Sequence, residues 1–408
     1  MDIGFGEALL LIGLLLTVAA SLSGVTRGTV LSTSVLAVGL GIALAQADVV
    51  GIDAGNPTVV ELIELALILT LFADGLVVER EVLRMHWGPP ARAIAIAMPI
   101  TLVLLALFAK ALFPELSWEE AFLLGAVLSP TDPVVTSAVV TAQRVPALVR
   151  HTLNLESGLN DGLALPFVLF FLALATPAGD PSAEARDLLG EAGVGAVIGA
   201  ALGLLGGHMH DRLPGGGLTR RYEGIYAIGF GLAAFGLADV TFGNGLIAAF
   251  VAGIALAATK HEIPEAFAEF SENVSAIFQV MTFFVFGALI VATGYSGSVW
   301  ALAAFVPFTL LVARPLAVLV AFSGTGIERD QKRFIAWFGP KGVASMLFAL
   351  FVLNSQAPDR SVVFDVAAFV ILASIVAHGL TDTVGARWIE RRVGRAPVGG
   401  TGTDSNRR

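Results

Sequence analysis

Hydroxyl, amide and carboxylate side chains crowd into one short run of the sequence, Leu155-Glu156-Ser157-Gly158-Leu159-Asn160-Asp161-Gly162. Ser157 and Asp161 are four residues apart, so on a helix they share a face. Glu156 and Asn160 share the neighbouring face. A hydroxyl beside a carboxylate offers two oxygens to a hard cation, which takes oxygen ligands. Because Asn160 is uncharged, the Asn160-Asp161 pair predicts a single charge that carries either a cation or a proton.

Six ionisable side chains fall well inside apolar segments of the chain. They are Asp74, Asp132, Glu156, Asp161, Arg314 and Lys341. If all were ionised, the interior would hold two more negative than positive charges, which a medium of low dielectric constant does not tolerate. Such a site takes up protons or binds cations, which is the minimum chemistry of a cation/proton exchanger. The alternative is that these charges pair only to lock helices together.

The elements that must position these residues are membrane-spanning helices. Apolar residues make up 56% of the 408 residues and charged residues 14%, against about 45–50% and 25% in soluble proteins. Segments of about 20 apolar residues predict thirteen spans. In chain order these are Ile3–Ser21, Gly28–Ala45, Thr58–Val78, Ala91–Leu112, Glu119–Val140, Ala147–Ala173, Leu188–Met209, Tyr222–Ala238, Gly245–Ala258, Phe267–Val291, Val299–Phe322, Lys332–Leu353 and Val362–Leu380.

The distribution of basic residues predicts the orientation of these spans. Nineteen of the 24 Lys and Arg fall in the loops after odd-numbered spans or in the C-terminal tail, and three fall on the other side. Since basic residues concentrate in cytoplasmic loops, we expect a multi-pass plasma-membrane protein with its N-terminus outside and its C-terminus in the cytoplasm. The polar segment 396–408 is expected to be a disordered cytoplasmic tail.

Composition also excludes several classes of protein. The chain has no cysteine, which rules out disulfides and thiolate metal sites. A formal net charge of −9 argues against a nucleic-acid partner. No nucleotide-binding motif and no catalytic constellation can be placed, so we expect neither a nucleotide, a cofactor nor an enzyme.

Two predicted spans contain helix breakers at mid-depth. The fifth carries Ser129-Pro130-Thr131-Asp132-Pro133 and the twelfth carries Gly339-Pro340-Lys341-Gly342. Proline removes an amide donor and clashes with the preceding turn. Spans 4–6 and 11–13 would therefore form an inverted repeat with one broken helix in each copy, which indicates a transport site at the membrane midplane. The alternative is that each kink only bends its helix.

At these residues the sequence resembles the Na⁺/H⁺ exchanger family of cation/proton antiporters, in its prokaryotic NhaP-type branch. The resemblance rests on two adjacent signatures, Leu128-Ser129-Pro130-Thr131-Asp132-Pro133-Val134-Val135 and Glu156-Ser157-Gly158-Leu159-Asn160-Asp161-Gly162. Later segments that resemble the same branch are Gly243–Gly253, Ala313-Arg314-Pro315 and Val376-Ala377-His378-Gly379-Leu380-Thr381.

The resemblance implies an all-α fold of about thirteen transmembrane helices with inverted repeats and two broken crossing helices. Residues 1–395 would form one transmembrane unit, with a core transport bundle at about 91–173 and 299–380 and the remaining helices for dimerisation and linking. It implies a homodimer in the lipid bilayer. The implied activity is electroneutral exchange of one Na⁺ or Li⁺ for one H⁺ by alternating access.

The resemblance also implies a role for each candidate residue. Asp161 matches the aspartate that carries the ion or proton, while Ser157 and the backbone of Thr131 match Na⁺ ligands. Asp74 sits where the family places a further acidic ligand. Supporting roles fall to Asp132 and Asn160, which would hold the crossing, and to Glu156, Lys341 and Arg314.

Lys341 departs from the family pattern, which usually has Arg in a Gly-Pro-Arg-Gly motif. The family's glutamate pairs with a basic residue on the twelfth span, so we expect Lys341 to be the structural partner of Glu156. Lys keeps the charge but loses the bidentate fork, and it changes its protonation more readily when buried. A second titrating group is the alternative role for Lys341.

Two functional alternatives stay open. The exchanged cation could be K⁺ instead of Na⁺, since selectivity depends on cavity size and ligand number. A cation channel could use the same carboxylates, and it would not need an opposing proton gradient.

Two smaller features of the sequence lie outside the candidate site. A ladder of glycines four residues apart in the seventh span predicts close helix packing; it consists of Gly195, Gly199, Gly203 and Gly207. His378, near the cytoplasmic end of the last span, is a candidate pH sensor that no other pattern supports.

Overall fold

The computed structural model describes most of the chain. The described ranges are 5–26, 33–53, 55–82, 88–132, 145–176, 181–212, 220–259, 265–295 and 297–393. The segment 396–408, expected to be a disordered tail, lies outside these ranges, as do residues 133–140 of the predicted fifth span.

The described residues form fourteen helices and no strand, which confirms the all-α class. The helices are α1 (Phe5–Thr26), α2 (Thr33–Gln46), α3 (Pro57–Val82), α4 (Gly88–Leu112), α5 (Trp118–Val127), α6 (Ala147–Ala175), α7 (Pro181–Arg212), α8 (Arg220–Asp239), α9 (Gly245–Ala258), α10 (Glu265–Thr293), α11 (Val299–Ala321), α12 (Arg329–Trp337), α13 (Val343–Leu353) and α14 (Arg360–Val393). One π-helical turn interrupts each of α4 and α11, at Ala93–Ala97 and Thr309–Ala313.

The helices have the lengths of a polytopic membrane protein. Among the described residues, six are long and apolar enough to cross a bilayer, namely α4, α6, α7, α10, α11 and α14. Parts of α1 and α2, together with α9 and α13, form shorter apolar helices. In a bilayer every backbone polar group must find a partner within the protein, which favours helices over open strands.

The predicted spans agree with the helices in order, and they differ mainly at the ends. The ninth span is reproduced as Gly245–Ala258, because Asn244 caps it: its Oδ1 accepts a hydrogen bond of 3.0 Å from the amide of Ile247. The thirteenth span, predicted to end at Leu380, continues to Val393. Hydropathy marks where the apolar stretch ends, while the helix continues into a basic segment.

Both predicted breaks are present in the structure. α5 begins after a capping box formed by Ser117 and Glu120, and it ends at Val127, just before the first predicted break. The predicted twelfth span is divided into α12 and α13, with the non-helical residues 338–342 between them. Pro130 and Pro340 each lie in the non-helical part, where a missing amide proton costs no helical hydrogen bond.

The glycine ladder of α7 packs against α9, as the sequence predicted. A Cβ atom on Gly195, Gly199 or Gly203 would lie 2.4, 2.3 or 2.5 Å from the backbone oxygens of Asn244, Ala248 and Ala252, respectively. These contacts are too short for any side chain, so the two backbones touch along three turns of α7.

We expect Gly199→Leu to lower the melting temperature in detergent, because the new side chain must push α7 away from α9. Overpacking of this kind costs about 1–3 kcal/mol or more. The matched control is Gly190→Ala, since a Cβ at Gly190 meets nothing within 4 Å. Equal melting temperatures for the two variants would contradict the packing role.

Candidate functional site

The candidate site is built where the two broken spans cross. The amide of Asp132, in the non-helical segment after α5, donates a hydrogen bond of 2.8 Å to the carbonyl oxygen of Pro340. This backbone contact joins segments more than 200 positions apart in the sequence. Each segment thus supplies a partner that the other lost when its helix unwound.

A charged side chain from each broken span lies at the helix end of the other. The ammonium group of Lys341 donates to the carbonyl oxygens of Ser129 and Pro130, at 3.3 and 3.0 Å, just beyond the C-terminal end of α5. Oδ2 of Asp132 accepts a hydrogen bond of 3.0 Å from the amide of Val343, the first residue of α13. A cation at a helix C-terminus and an anion at an N-terminus both stabilise the helix dipole.

Two glycines make this arrangement sterically possible. A Cβ atom on Gly342 would lie 2.0 Å from Oδ2 of Asp132, and one on Gly339 would lie 1.8 Å from Nε of Arg314. The Gly-Pro-Lys-Gly segment therefore combines a helix breaker, a charge and two positions without side chains. Those two positions admit the carboxylate and the guanidinium group.

Hydroxyl and amide groups join the crossing to α6. Oγ1 of Thr131 lies 3.3 Å from Oγ of Ser157 and accepts a hydrogen bond of 2.7 Å from Nδ2 of Asn160. All three side chains are buried. The structure thus brings together Thr131, Ser157 and Asn160. It places the hydroxyl of Thr131 at the site, in addition to the backbone that the family resemblance implied.

Several oxygens at the site are buried without a hydrogen-bond partner. Within the described part of the chain these include Oδ1 of Asp161, Oδ1 of Asn160 and Oδ2 of Asp74. Asp161 is buried, and the negative charges of Asp74 and Asp132 act on it together with the positive charge of Lys341. A buried polar oxygen without a partner is unfavourable, so a proton or a cation bound there would remove an existing cost.

The predicted pairing of Glu156 with Lys341 is wrong. Glu156 forms a bidentate ion pair with Arg314 of α11, in which Nη1 and Nη2 donate to its two oxygens at 2.6 and 3.1 Å. The π-helical turn at Thr309–Ala313 directly precedes Arg314. Only the guanidinium fork matches both carboxylate oxygens, which leaves the Lys341 ammonium group for the carbonyl oxygens at the end of α5.

Two features near the site were not predicted from the sequence: the position of Ser345, and the contacts of Ser374 and of His378, which the sequence marked only as a candidate pH sensor. Oγ of Ser345, in the first turn of α13, is buried and has no partner among the described residues. Ser374 of α14 contacts the non-helical segment between α12 and α13 at Lys341, and His378 contacts the carbonyl of Trp337, the last residue of α12. A lone serine gives no sequence signal, whereas the spacing of Ser374 and His378 on one helix face could have identified the second feature.

The candidate site offers oxygen ligands of two kinds. Within the described ranges there is no cluster of three or more His, Asp or Glu side chains arranged to hold a metal ion. The candidate ligands are instead the hydroxyls of Thr131 and Ser157 and the carboxylates of Asp161 and Asp74. Two hydroxyls and two carboxylates are oxygen ligands of the kind that hard cations take.

Comparison with protein families gives one match along most of the chain. The family described as "Sodium/hydrogen exchanger, transmembrane" matches residues 11–385. That range includes every candidate site residue.

Individual relatives show the same pattern. The K⁺/H⁺ antiporter NhaP of Alkalimonas amylolytica is 26% identical over 84% of this chain and 60% of its own length. A Na⁺/H⁺ antiporter of Schizosaccharomyces pombe is 26% identical over 82% of this chain and 79% of its own length. The K⁺/H⁺ antiporter NhaP2 of Shewanella oneidensis is also 26% identical, and the chain spans 56% of it. The chain thus spans less than two thirds of several of these relatives.

A solved structure has the same fold. The sodium proton antiporter MjNhaP1 of Methanocaldococcus jannaschii superposes with a TM-score of 0.74 at 20% sequence identity. The match covers 95% of this chain and 98% of that one. The comparison therefore confirms the polytopic helical architecture over almost the whole length.

The ion pair between Glu156 and Arg314 predicts that the effects of replacing these two residues on thermal stability are not additive. Breaking a buried pair by removing one partner costs about 3–5 kcal/mol in soluble proteins. We expect Glu156→Gln and Arg314→Met each to lower thermal stability, and the double variant to recover part of the loss. Melting temperatures in detergent for the three variants and the unmodified protein give the coupling.

The control cycle combines Glu156→Gln with Lys341→Met. Lys341 acts on Glu156 only through space, so this second cycle should be much closer to additive. Stronger coupling of Glu156 to Lys341 than to Arg314 would contradict the observed pairing.

Proposed function

Because the chain belongs to the sodium/hydrogen exchanger family, we propose that it exchanges a monovalent cation, Na⁺ or Li⁺, for a proton across a membrane. The exchange is electroneutral and proceeds by alternating access. The observation that carries this proposal is the buried Asp161, whose Oδ1 has no partner among the described residues while two further carboxylates act on it.

Competition at Asp161 couples the two ions. A protonated Asp161 is neutral and has no charge to offer a cation. A deprotonated Asp161 in a buried site needs a positive charge, which the cation supplies. The empty, charged site is the unfavourable state, so the site crosses between the two sides with one ligand or the other. That restriction converts binding into exchange.

The neighbouring oxygens complete the proposed cation site. The hydroxyls of Ser157 and Thr131, 3.3 Å apart, supply neutral ligands, and Asp74 supplies a further acidic one. Asn160 donates to Thr131 and so orients that hydroxyl. Asp132 and Lys341 are occupied at the helix ends, where they hold the crossing and leave Asp161 as the carrier.

The arrangement of the helices supports a division of labour. We propose that the core bundle comprises about residues 91–173 and 299–380, and that the other helices serve for linking and for forming a homodimer. Thr131, Ser157 and Asp161 lie within the core ranges, whereas Asp74 belongs to α3 outside them. The proposed site therefore lies at the boundary between the two parts, where relative movement would alternate its access. We also propose that the chain crosses the plasma membrane with its N-terminus outside the cell and its C-terminus in the cytoplasm.

K⁺ is the second candidate cation. Two of the relatives described above are named as K⁺/H⁺ antiporters and one as a Na⁺/H⁺ antiporter. The deciding experiment is ion-driven pH change in proteoliposomes, tested with Na⁺, Li⁺ and K⁺ in turn. If none of the three ions produces a pH change, the proposed function is overturned. If only K⁺ produces one, K⁺ replaces Na⁺ and Li⁺ as the proposed cation.

We expect Asp161→Asn to reduce exchange to the level of protein-free liposomes while the protein still folds. An amide neither releases a proton nor balances a cation. The measurement is cation-dependent proton flux, with the melting temperature recorded in parallel.

The matched control is Asp365→Asn. Asp365 of α14 is another buried carboxylate, and it accepts a hydrogen bond of 2.8 Å from the hydroxyl of Thr293 on α10. Exchange should persist in this variant. Appreciable flux in Asp161→Asn would show that another residue carries the ions.

The single carboxylate of the Asn160-Asp161 pair predicts that one cation replaces one proton. At a fixed pH gradient, an imposed membrane potential should leave the exchange rate unchanged. The measurement is exchange in proteoliposomes clamped at several potentials. A strong dependence on potential, or a current during turnover, would mean that a second charge moves.

A further inference from the structure

One face of α14 carries a row of polar side chains that contact the broken span. Ser374, His378 and Thr381 are spaced four and three residues apart, so they lie on the same face. Ser374 accepts a hydrogen bond from the amide of Lys341. His378 and Thr381 both contact Trp337, the last residue of α12, through its carbonyl oxygen and its indole nitrogen, respectively. The non-helical segment 338–342 is therefore held from α14 at both of its ends.

The contacts form a continuous relay. The amide of Lys341 donates to Oγ of Ser374 at 2.8 Å, and that hydroxyl lies 3.2 Å from Nδ1 of His378. On the other side of the ring, Nε2 lies 2.9 Å from the carbonyl oxygen of Trp337. The ring of His378 also stacks on that of Trp337, with centroids 5.0 Å apart. His378 is only 2% exposed, so its partners are protein groups.

The chemistry of the partners determines how the imidazole must sit. The carbonyl oxygen of Trp337 only accepts, so this contact requires a proton on Nε2. Ser374 offers Nδ1 both a hydroxyl at 3.2 Å and a carbonyl oxygen at 2.7 Å. The ring is thus held on its Nδ1 side whether or not it is charged. The charged groups that act on it are Arg314 and Lys341.

The relay compensates for the missing helical hydrogen bonds of the broken span. The last carbonyls of a helix and the amides of an unwound segment have no helical partner, and within a membrane no bulk water replaces it. The amide of Lys341 is such a group, and the carbonyl of Trp337 lacks a helical partner but accepts a hydrogen bond of 2.9 Å from the amide of Gly339 in addition to the contact with His378. Satisfying both from one rigid helix also fixes the distance between them.

We propose that His378, acting with Ser374, is a positioning residue for the proposed exchange. It fixes the backbone of Lys341, from which the ammonium group reaches the carbonyl oxygens of Ser129 and Pro130 next to Thr131. His378 touches neither the cation nor Asp161. These contacts favour positioning over the pH-sensor hypothesis for this histidine, and the inference rests on the proposed function.

The first test measures the segment itself and needs no transport. We expect His378→Leu and Ser374→Ala each to speed hydrogen–deuterium exchange in peptides that cover residues 338–346. His378→Gln should preserve slow exchange, because its side-chain amide still donates to the carbonyl of Trp337. The matched control is Thr381→Val, which removes the hydrogen bond of 3.0 Å from Nε1 of Trp337 but leaves Lys341 held.

The second test measures transport in proteoliposomes with the cation that the unmodified protein exchanges. Loss of a supporting contact behind a metal ligand typically weakens binding about 10–100-fold. We expect His378→Leu to raise the apparent KM for the cation by roughly tenfold, with a smaller effect on the maximal rate. His378→Gln and Thr381→Val should stay close to the unmodified protein.

The outcomes separate this inference from the proposed function. Unchanged deuterium uptake at 338–346 in His378→Leu would overturn the positioning role. So would an equal change in Thr381→Val, since that would indicate general loosening of α12. If the unmodified protein exchanges no cation, the proposed function fails, while the deuterium uptake still decides whether His378 holds the segment.

Discussion

The interaction on which the rest of the structure depends is the reciprocal hydrogen bonding between two broken helices, in which each supplies partners to the other. An unwound segment inside a membrane exposes backbone groups that lipid cannot satisfy. Here Asp132 caps α13 and Lys341 caps the end of α5, and a backbone hydrogen bond joins Asp132 to Pro340. Neither break would be tolerable without the other, so the two spans must be placed together.

That crossing determines which charges remain for transport. Lys341 and Asp132 are held at helix ends, and Glu156 is neutralised by the fork of Arg314. Of the six charges within the predicted spans, these four serve the architecture. Asp161 and Asp74 each keep a buried oxygen that lacks a hydrogen-bond partner among the described residues. The four structural charges are thus held by hydrogen bonds or an ion pair, whereas the carboxylates of the proposed carrier site keep oxygens that are free to bind a mobile ion.

The sequence predicted the helical fold and the positions of both breaks, because membrane helices leave strong local signals. Apolar stretches marked the helices, and the Pro–Gly segments marked both breaks. The grouping of Thr131, Ser157 and Asn160 followed from helical spacing and the family resemblance. The partner of Glu156 did not follow, since Arg314 and Lys341 are both basic and buried. The choice depends on which side chain reaches both carboxylate oxygens, a matter of three-dimensional geometry that spacing along the chain does not encode.

Contacts on two sides of the site bear on how the proposed mechanism could work. α14 holds the segment 338–342 from one side through Ser374 and His378, while Arg314 packs over Gly339 from another. A crossing fixed in this way would move as a rigid unit with Thr131 and Asp161. Asp74 lies on α3, which α9 contacts backbone to backbone at Gly75 and Gly253. Movement between these two bodies would change the distance from Asp74 to Asp161, and with it the number of oxygens that a cation can reach.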